Sequence, residues 1–237
     1  MEEAWQIFED RHQVRFYDHE KVPSKELIEK VLHKAHDLVP SKQKLMPYVV
    51  KILGPEHKKI KMHMYELASE VDYPDLNLRN KYRLDLVKEY ENNNIPDNHR
   101  WIRGNSQLFA PYILLLVPRK AVQNTKLTET YKRRKLANYD GDKLSKSNSN
   151  IEIGMFSIVL TYVAMKEGLS IGYTTCLNHK NLSKHYDWLK KEEVDPTIAL
   201  SLGYVRPDTE EHRLERQMKE DIKGRAKPEK HQTFEWI

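Results

Sequence analysis

Hydrophobic positions along the chain fall into two periods. Between Ser24 and Pro40 the apolar residues Leu27, Ile28, Val31, Leu32, Ala35 and Leu38 recur every three or four positions. That spacing predicts a helix with one buried face. Ser24 is placed to cap it, Glu26 lies in its first turn, and Pro40 stops it. Glu2–Gln13, His57–Ser69, Tyr82–Asn92 and Asn181–Lys191 also read as helices, with a short extended piece at Val14–Tyr17. Pro47–Leu53, Pro111–Val117, Leu169–Leu177 and Thr197–Val205 are rich in β-branched, aromatic and other apolar residues and read as strands. Pro111–Val117 is almost continuously apolar, which predicts a central strand buried on both faces.

Ile151–Lys166 is different again. Its apolar residues cover nearly the whole circumference, which predicts a core helix covered on all sides, a second subunit being one candidate cover. Gly168 is its expected C-terminal cap. Ala137–Asn150 is polar and without apolar period, as a loop or lid would be; Asn92–Asn98 is a loop. After Pro207 the chain is charged and pattern-free until Thr233-Phe234-Glu235-Trp236-Ile237, an apolar end that predicts a docked tail. Helices of uneven length between strands, without regular βαβ repetition, define an α+β protein.

Composition narrows the chemistry. At 237 residues the chain fits one large domain or two small ones, and no internal repeat is visible. The single-domain reading takes 1–237 as one unit, with 70–105 and 137–150 as variable or lid segments and 207–237 as an extension docking on a partner. No run approaches the roughly 20 apolar residues of a membrane span. One cysteine, Cys176, excludes an intrachain disulfide framework and a Cys-rich zinc site. Its apolar surroundings predict a buried, inert thiol. The acidic N-terminus lacks a signal-peptide pattern, so a reducing cytoplasm is the expected home. Forty basic residues against 35 acidic ones give a net charge of +5, suited to a phosphorylated small molecule or a nucleic acid. With only eight glycines there is no Gly-x-Gly-x-x-Gly, P-loop or Gly-x-Ser-x-Gly motif. The histidines His33, His36, His57 and His63, and the basic runs His57–His63 and Lys132–Lys135, read as solvated helix faces. Nucleic acid is therefore not the expected partner.

Four short segments remain. Arg11-His12-Gln13-Val14-Arg15-Phe16-Tyr17 places two arginines at a helix-to-strand transition. Pro40-Ser41-Lys42-Gln43-Lys44-Leu45-Met46-Pro47-Tyr48 is a polar turn before a strand. Gly168–Cys176 follows the apolar helix. Leu202-Gly203-Tyr204 closes the last core strand, with Lys223-Gly224-Arg225 further on. Taken singly, the arginines read as solvated charges and Ser41 as a turn residue. Together and in order, with Ala110-Pro111-Tyr112-Ile113-Leu114 between them, they resemble the nitroreductase family of flavin enzymes. The first segment matches that family's Arg-(Arg/His)-Ser-x-(Arg/Lys)-x-(Phe/Tyr) at all but the serine, where Gln13 stands. The second keeps the Pro-Ser…Pro-Tyr frame but replaces two amides by Lys44 and Met46. The region 55–103 does not align.

The resemblance implies a nitroreductase-like fold: a central, mostly antiparallel sheet flanked by helices, dimeric with exchange of C-terminal tails. It implies a homodimer binding FMN at the interface, with NADH or NADPH as hydride donor and a nitroaromatic, quinone or similar small molecule as acceptor. The flavin N5 carries the hydride, so no catalytic side chain is expected, and no metal. Arg11, Arg15, Lys223 and Arg225 would hold the phosphate by charge-assisted hydrogen bonds, with His12 as a neighbouring donor and Gln13 near the phosphate or ribityl chain. Pro40, Ser41 and Lys42 would contact the ring, and Lys44 would sit near its N1/O2 edge, raising the potential. The stretch Arg103–Gln107 would read the pyrimidine edge, with Asn105 the best candidate, and Thr174 and Thr175 would approach N5 and O4. Two alternatives stay open: a flavin-poor or flavin-free binding protein that uses its basic surface for nucleic acid, and a specialised flavin-modifying or dehalogenating member of the fold.

Overall fold

A computed structural model describes residues 2–9, 11, 13–15, 17–41, 46–69, 105–118, 141–177, 180–190 and 195–206. The chain forms two units, Met1–Val205 and Arg206–Ile237; all but one of the described residues lie in the first. The expected helix at Tyr82–Asn92 and the docked tail lie outside the described residues.

Helix α1 spans Glu2–Glu9 and α2 spans Lys25–Leu38. The Ser24 hydroxyl accepts the Leu27 N–H, as its position before the apolar repeat requires, and Ile28, Val31 and Ala35 form the buried face. Strand β1 is Tyr48–Leu53, followed by α3 at Lys58–Ser69. A 3₁₀ turn at Ser106–Phe109 leads into β2, Tyr112–Pro118. Then come α4 (Gly141–Lys166), β3 (Ser170–Thr174), the single turns α5 (Leu182–His185) and α6 (Asp187–Lys190), and β4 (Ile198–Gly203). The four strands run β1-β2-β4-β3, every pairing antiparallel, with Tyr48 opposite Pro118, Tyr112 opposite Leu202 and Ser170 opposite Gly203.

The central position of β2 explains its composition. Ile113, Leu115 and Val117 enter one apolar cluster with Met64, Tyr65 and Ala68 of α3. Tyr112, Leu114 and Leu116 enter another with Ile28 and Val31 of α2 and Phe156, Leu160 and Val163 of α4. Successive side chains point to opposite faces, so a strand covered on both sides needs apolar residues throughout.

One expectation is corrected. The segment from Gly141 to Asn150 is not a loop: it is the first part of α4, which runs 26 residues. A polar stretch without apolar period can still be helical, because residues other than proline differ in helix propensity by at most about 1 kcal/mol. Within the single chain α4 is not covered on all sides, which leaves a second subunit as the cover still to be tested. Ile151 and Ile158 are 58% and 49% exposed, and Met155 and Tyr162 between them are half-buried. Its end does follow expectation. Gly168 adopts φ +73°, Gly168 N–H binds Met165 O at 3.0 Å and Leu169 N–H binds Ala164 O at 2.9 Å. This is a Schellman cap, and it turns the chain directly into β3. No helix among the described residues is long and apolar enough to cross a membrane.

Candidate functional site

Four of the residues singled out in sequence, Arg11, Gln13, Asn105 and Thr174, meet around the C-terminal half of β3. Here β3 is an edge of the described sheet, so one row of its backbone groups needs partners from outside the ladder. The segment after α1 supplies them. Gln13 Nε2 donates to Tyr173 O at 2.7 Å, and Tyr173 N–H donates to Gln13 Oε1 at 3.1 Å. Further along, the Tyr17 hydroxyl is 2.6 Å from Ser201 Oγ, which donates to Gly172 O at 3.1 Å. A bridge pairs Tyr17 with Val205, and Asp18 N–H reaches Tyr204 O at 2.8 Å. Burial pushes the Tyr17 hydroxyl pKa well up, against the opposing pull of its hydrogen bonds, so Tyr17 stays neutral.

Gly203 belongs to the same junction. A Cβ there would lie 3.0 Å from Pro111 Cδ and 3.0 Å from Tyr17 Cδ1. The glycine of Leu202-Gly203-Tyr204 thus reflects close packing of Tyr17 and Pro111.

From the other direction, the 3₁₀ turn brings in two buried amides. Thr174 Oγ1 donates to Asn105 Oδ1 at 2.8 Å, and Gln107 Nε2 donates to Tyr173 O at 3.3 Å. Asn105 and Gln107 are 4% and 2% exposed, yet Asn105 Nδ2 and Gln107 Oε1 have no hydrogen-bond partner among the described residues. A buried, unsatisfied donor and acceptor cost about 1–3 kcal/mol each. Their place beside Thr174 marks where a complementary group would be stabilised.

The Arg11 guanidinium lies 5.3 Å from the centre of the Tyr173 ring, within cation–π range. The Tyr173 hydroxyl points into α4, where it contacts Thr161 Oγ1 and donates to Ser157 O at 3.2 Å. Burial raises its pKa; the Thr161 hydrogen bond and the Arg11 charge oppose that shift. Arg15 is half-buried on the same segment as Gln13, and its Nε is shielded from solvent. Thr175 is exposed and directly follows β3.

The structure therefore brings Arg11, Gln13, Asn105 and Thr174 onto one strand end, and Thr175 follows in chain. Pro40 and Ser41 stand at the end of α2, where Ser41 Oγ accepts the Met46 N–H at 3.0 Å and closes the turn. Met46 there takes a left-handed φ of 44°. His12, Lys42, Lys44, Lys223 and Arg225 lie outside the described residues. Gln107, the last residue of the 103–107 stretch, joins Asn105 at this strand end, and Tyr173 is an addition to the site.

Three further expectations are corrected. Cys176 is exposed, because β3 ends at Thr174 and the chain turns before the thiol. His57 and His63 are not simply solvated. His57 Nδ1 accepts the Gly54 N–H at 3.0 Å, and His63 Nδ1 is 2.8 Å from the Tyr186 hydroxyl. Lys61, read as part of a solvated basic run, is 1% exposed.

The Nitroreductase family model matches residues 8–204. No curated protein matches the chain. Among solved structures, a nitroreductase-like protein of Streptococcus mutans is 14% identical, with 100% of this chain and 98% of that one covered at a TM-score of 0.62. A nitroreductase with bound FMN from Desulfitobacterium hafniense is 13% identical, with 87% and 90% covered at 0.53. A BluB-like flavoprotein of Clostridium difficile is 17% identical, with 86% and 90% covered at 0.50. The family match spans the segments that build the strand-end site, from Arg11 through Leu202-Gly203-Tyr204, and the chain belongs to the nitroreductase family.

Proposed function

We propose that the chain is an FMN-dependent oxidoreductase, taking hydride from NADH or NADPH and passing it to a nitroaromatic, quinone or related small acceptor. The observation that carries this reading is the pair of unsatisfied amide atoms, Asn105 Nδ2 and Gln107 Oε1, on a strand end that also gathers Arg11 and Thr174. An amide donor and an amide acceptor on one strand end are the groups that the imide edge of a flavin ring calls for. Arg11 and Arg15 suit its phosphate, with Lys223 and Arg225 as further candidates. Thr174 and Thr175 would present backbone groups near N5. Pro40, Ser41 and Lys42 would contribute the ring contact across a dimer. Bound FMN supplies the hydride-carrying centre. The protein's part is to hold the phosphate, hydrogen-bond the ring edge and keep Tyr173 neutral beneath Arg11.

The test is spectroscopic. Purified protein titrated with FMN gives a saturable change in flavin absorbance near about 450 nm. Under anaerobic conditions NADH or NADPH bleaches that band, and a quinone restores it. A protein that leaves the FMN spectrum unperturbed at every concentration sinks the reading. Salt-sensitive retention of DNA in its place would favour the nucleic-acid alternative.

The dimer has its own support. Ile151, Met155, Ile158 and Tyr162 recur on α4 at spacings of four, three and four, the seam of a helix–helix contact. Phe8 extends it, its ring 6.0 Å from that of Tyr162. A second copy of α4 is the proposed cover. Light scattering should give the mass of two chains for the native protein and of one chain for Ile158→Glu. Burying an unpaired carboxylate costs roughly 3–5 kcal/mol, enough to weaken association at least a hundredfold. A dimeric Ile158→Glu protein would place the interface elsewhere.

A further inference from the structure

Gln13 stands where the nitroreductase segment carries a small hydroxyl, and its side chain does something a serine is too short to do. Its amide exchanges two hydrogen bonds with the backbone of Tyr173, at 2.7 and 3.1 Å. Two such bonds to one residue are what a neighbouring antiparallel strand would make. A side chain thus takes the place of the next strand at the edge of β3. On its other side Val14 O presses against Gly172, with no space for a Cβ between them.

The consequence is one of register. Arg11 lies two residues before Gln13 and Arg15 two residues after. Thr174 and Thr175 directly follow Tyr173. Gln13 is the point at which the segment bearing the proposed phosphate ligands is pinned to the strand bearing the proposed ring contacts. Slippage by one residue displaces the arginines by about 3.3 Å. That is more than a charge-assisted hydrogen bond tolerates.

We infer that Gln13 is a positioning residue that sets the distance between the phosphate-binding and ring-binding ends of the site, and so makes the site selective for FMN over riboflavin. The inference rests on the FMN reading above. It gives Gln13 no direct contact with the flavin.

The experiment compares two ligands on the native protein and on Gln13→Ala, following flavin fluorescence. The native protein binds FMN about a hundredfold more tightly than riboflavin, as two charge-assisted hydrogen bonds to a phosphate would give. In Gln13→Ala that preference falls at least tenfold, entirely through weaker FMN binding, with riboflavin affinity held within twofold. Hydrogen exchange at the Tyr173 amide accelerates in the same variant. Gln13→Ser, which restores the family's small hydroxyl but cannot span to Tyr173, gives the same comparison should the alanine variant fold poorly. Parallel weakening of both ligands would make Gln13 merely structural and overturn the inference, as would an unchanged FMN affinity. A native protein that binds neither flavin sinks the FMN reading itself, an outcome distinct from both.

Discussion

Gly172→Ala lowers the stability of the protein by about 3–5 kcal/mol, the sum of an overpacking cost of roughly 1–3 kcal/mol and the loss of at least two hydrogen bonds at about 1 kcal/mol each. Gly172 lies inside β3, and its missing side chain is what lets the 13–17 segment cross the strand. An added Cβ runs into Val14 O, lies 2.6 Å from Ser201 Oγ and comes within 3.1 Å of the Tyr17 hydroxyl. The nearest obstacle is a backbone atom, so no rotamer change and no truncation of the Val14 side chain relieves it. The segment must lift, and with it go the Gln13–Tyr173 pair and the buried Tyr17–Ser201 contact. Denaturant midpoints of the two proteins, with equal m-values, measure the effect. A change below about 0.5 kcal/mol, the range of unremarkable surface substitutions, would mean that the segment is not packed on β3 as described. On the proposed reading both flavins bind more weakly in this variant, whereas in Gln13→Ala the loss is confined to FMN.

Much of the fold was legible because its rules are local. The buried face of α2 follows from Leu27, Ile28, Val31 and Ala35; its start follows from the Ser24 cap and its end from Pro40. The central place of β2 follows from a run with no polar residue to spare for water. What escaped was set by neighbours distant in sequence. A helix apolar all round cannot reveal whether its last face meets this chain or another, and Ile151 and Ile158 prove uncovered within one chain. Polar residues before Ile151 hid the first turns of α4, since composition reports on burial before it reports on helix.

The site divides the same way. Arg11, Gln13, Asn105 and Thr174 were picked out by motif order, and they do converge. Gln13 is placed by the resemblance near the phosphate or ribityl chain, and the structure adds that its amide engages the backbone of Tyr173. No spacing rule predicts a side chain pairing with an edge strand 160 residues away. Tyr173 carries no such signal, because a tyrosine in a strand looks like packing until its partners are known.

Lys61 was misread for a reason its own helix supplies, and correcting it gives the second large effect. Within the basic run Lys59 is exposed and Lys58 half-buried, but positions 61, 64, 65 and 68 share one face of α3, and Met64, Tyr65 and Ala68 are buried. Lys61 goes in with them, and its Nζ donates to Ala110 O at 2.9 Å and Pro111 O at 2.7 Å. It thereby ties α3 to the junction between the 3₁₀ turn and β2, the turn that carries Gln107. Burial brings its pKa down to about 7, with Glu56 pulling it up and Lys58 pushing it further down. An unfolded chain releases this lysine to its ordinary value of 10.5. Between pH 7 and 10 the unfolded state therefore holds a proton that the folded state has lost, and stability rises with pH by up to about 1.4 kcal/mol per unit. From pH 7 to pH 9 the expected gain is about 2 kcal/mol, flattening below pH 7, where both states are protonated. Above pH 10 the trend reverses, because burial raises Tyr17, Tyr112, Tyr173 and Tyr186 (the last to about 12) and the unfolded chain ionises its tyrosines first. A neutral amine still has two hydrogens for the two carbonyls, so the contact survives deprotonation. Denaturation at pH 6, 7, 8 and 9 reads the slope directly, and Lys61→Met should remove it while leaving the behaviour above pH 10 in place. A native protein equally stable at pH 7 and 9, or a methionine variant that keeps the slope, would show that Lys61 is not held in the core as its contacts require.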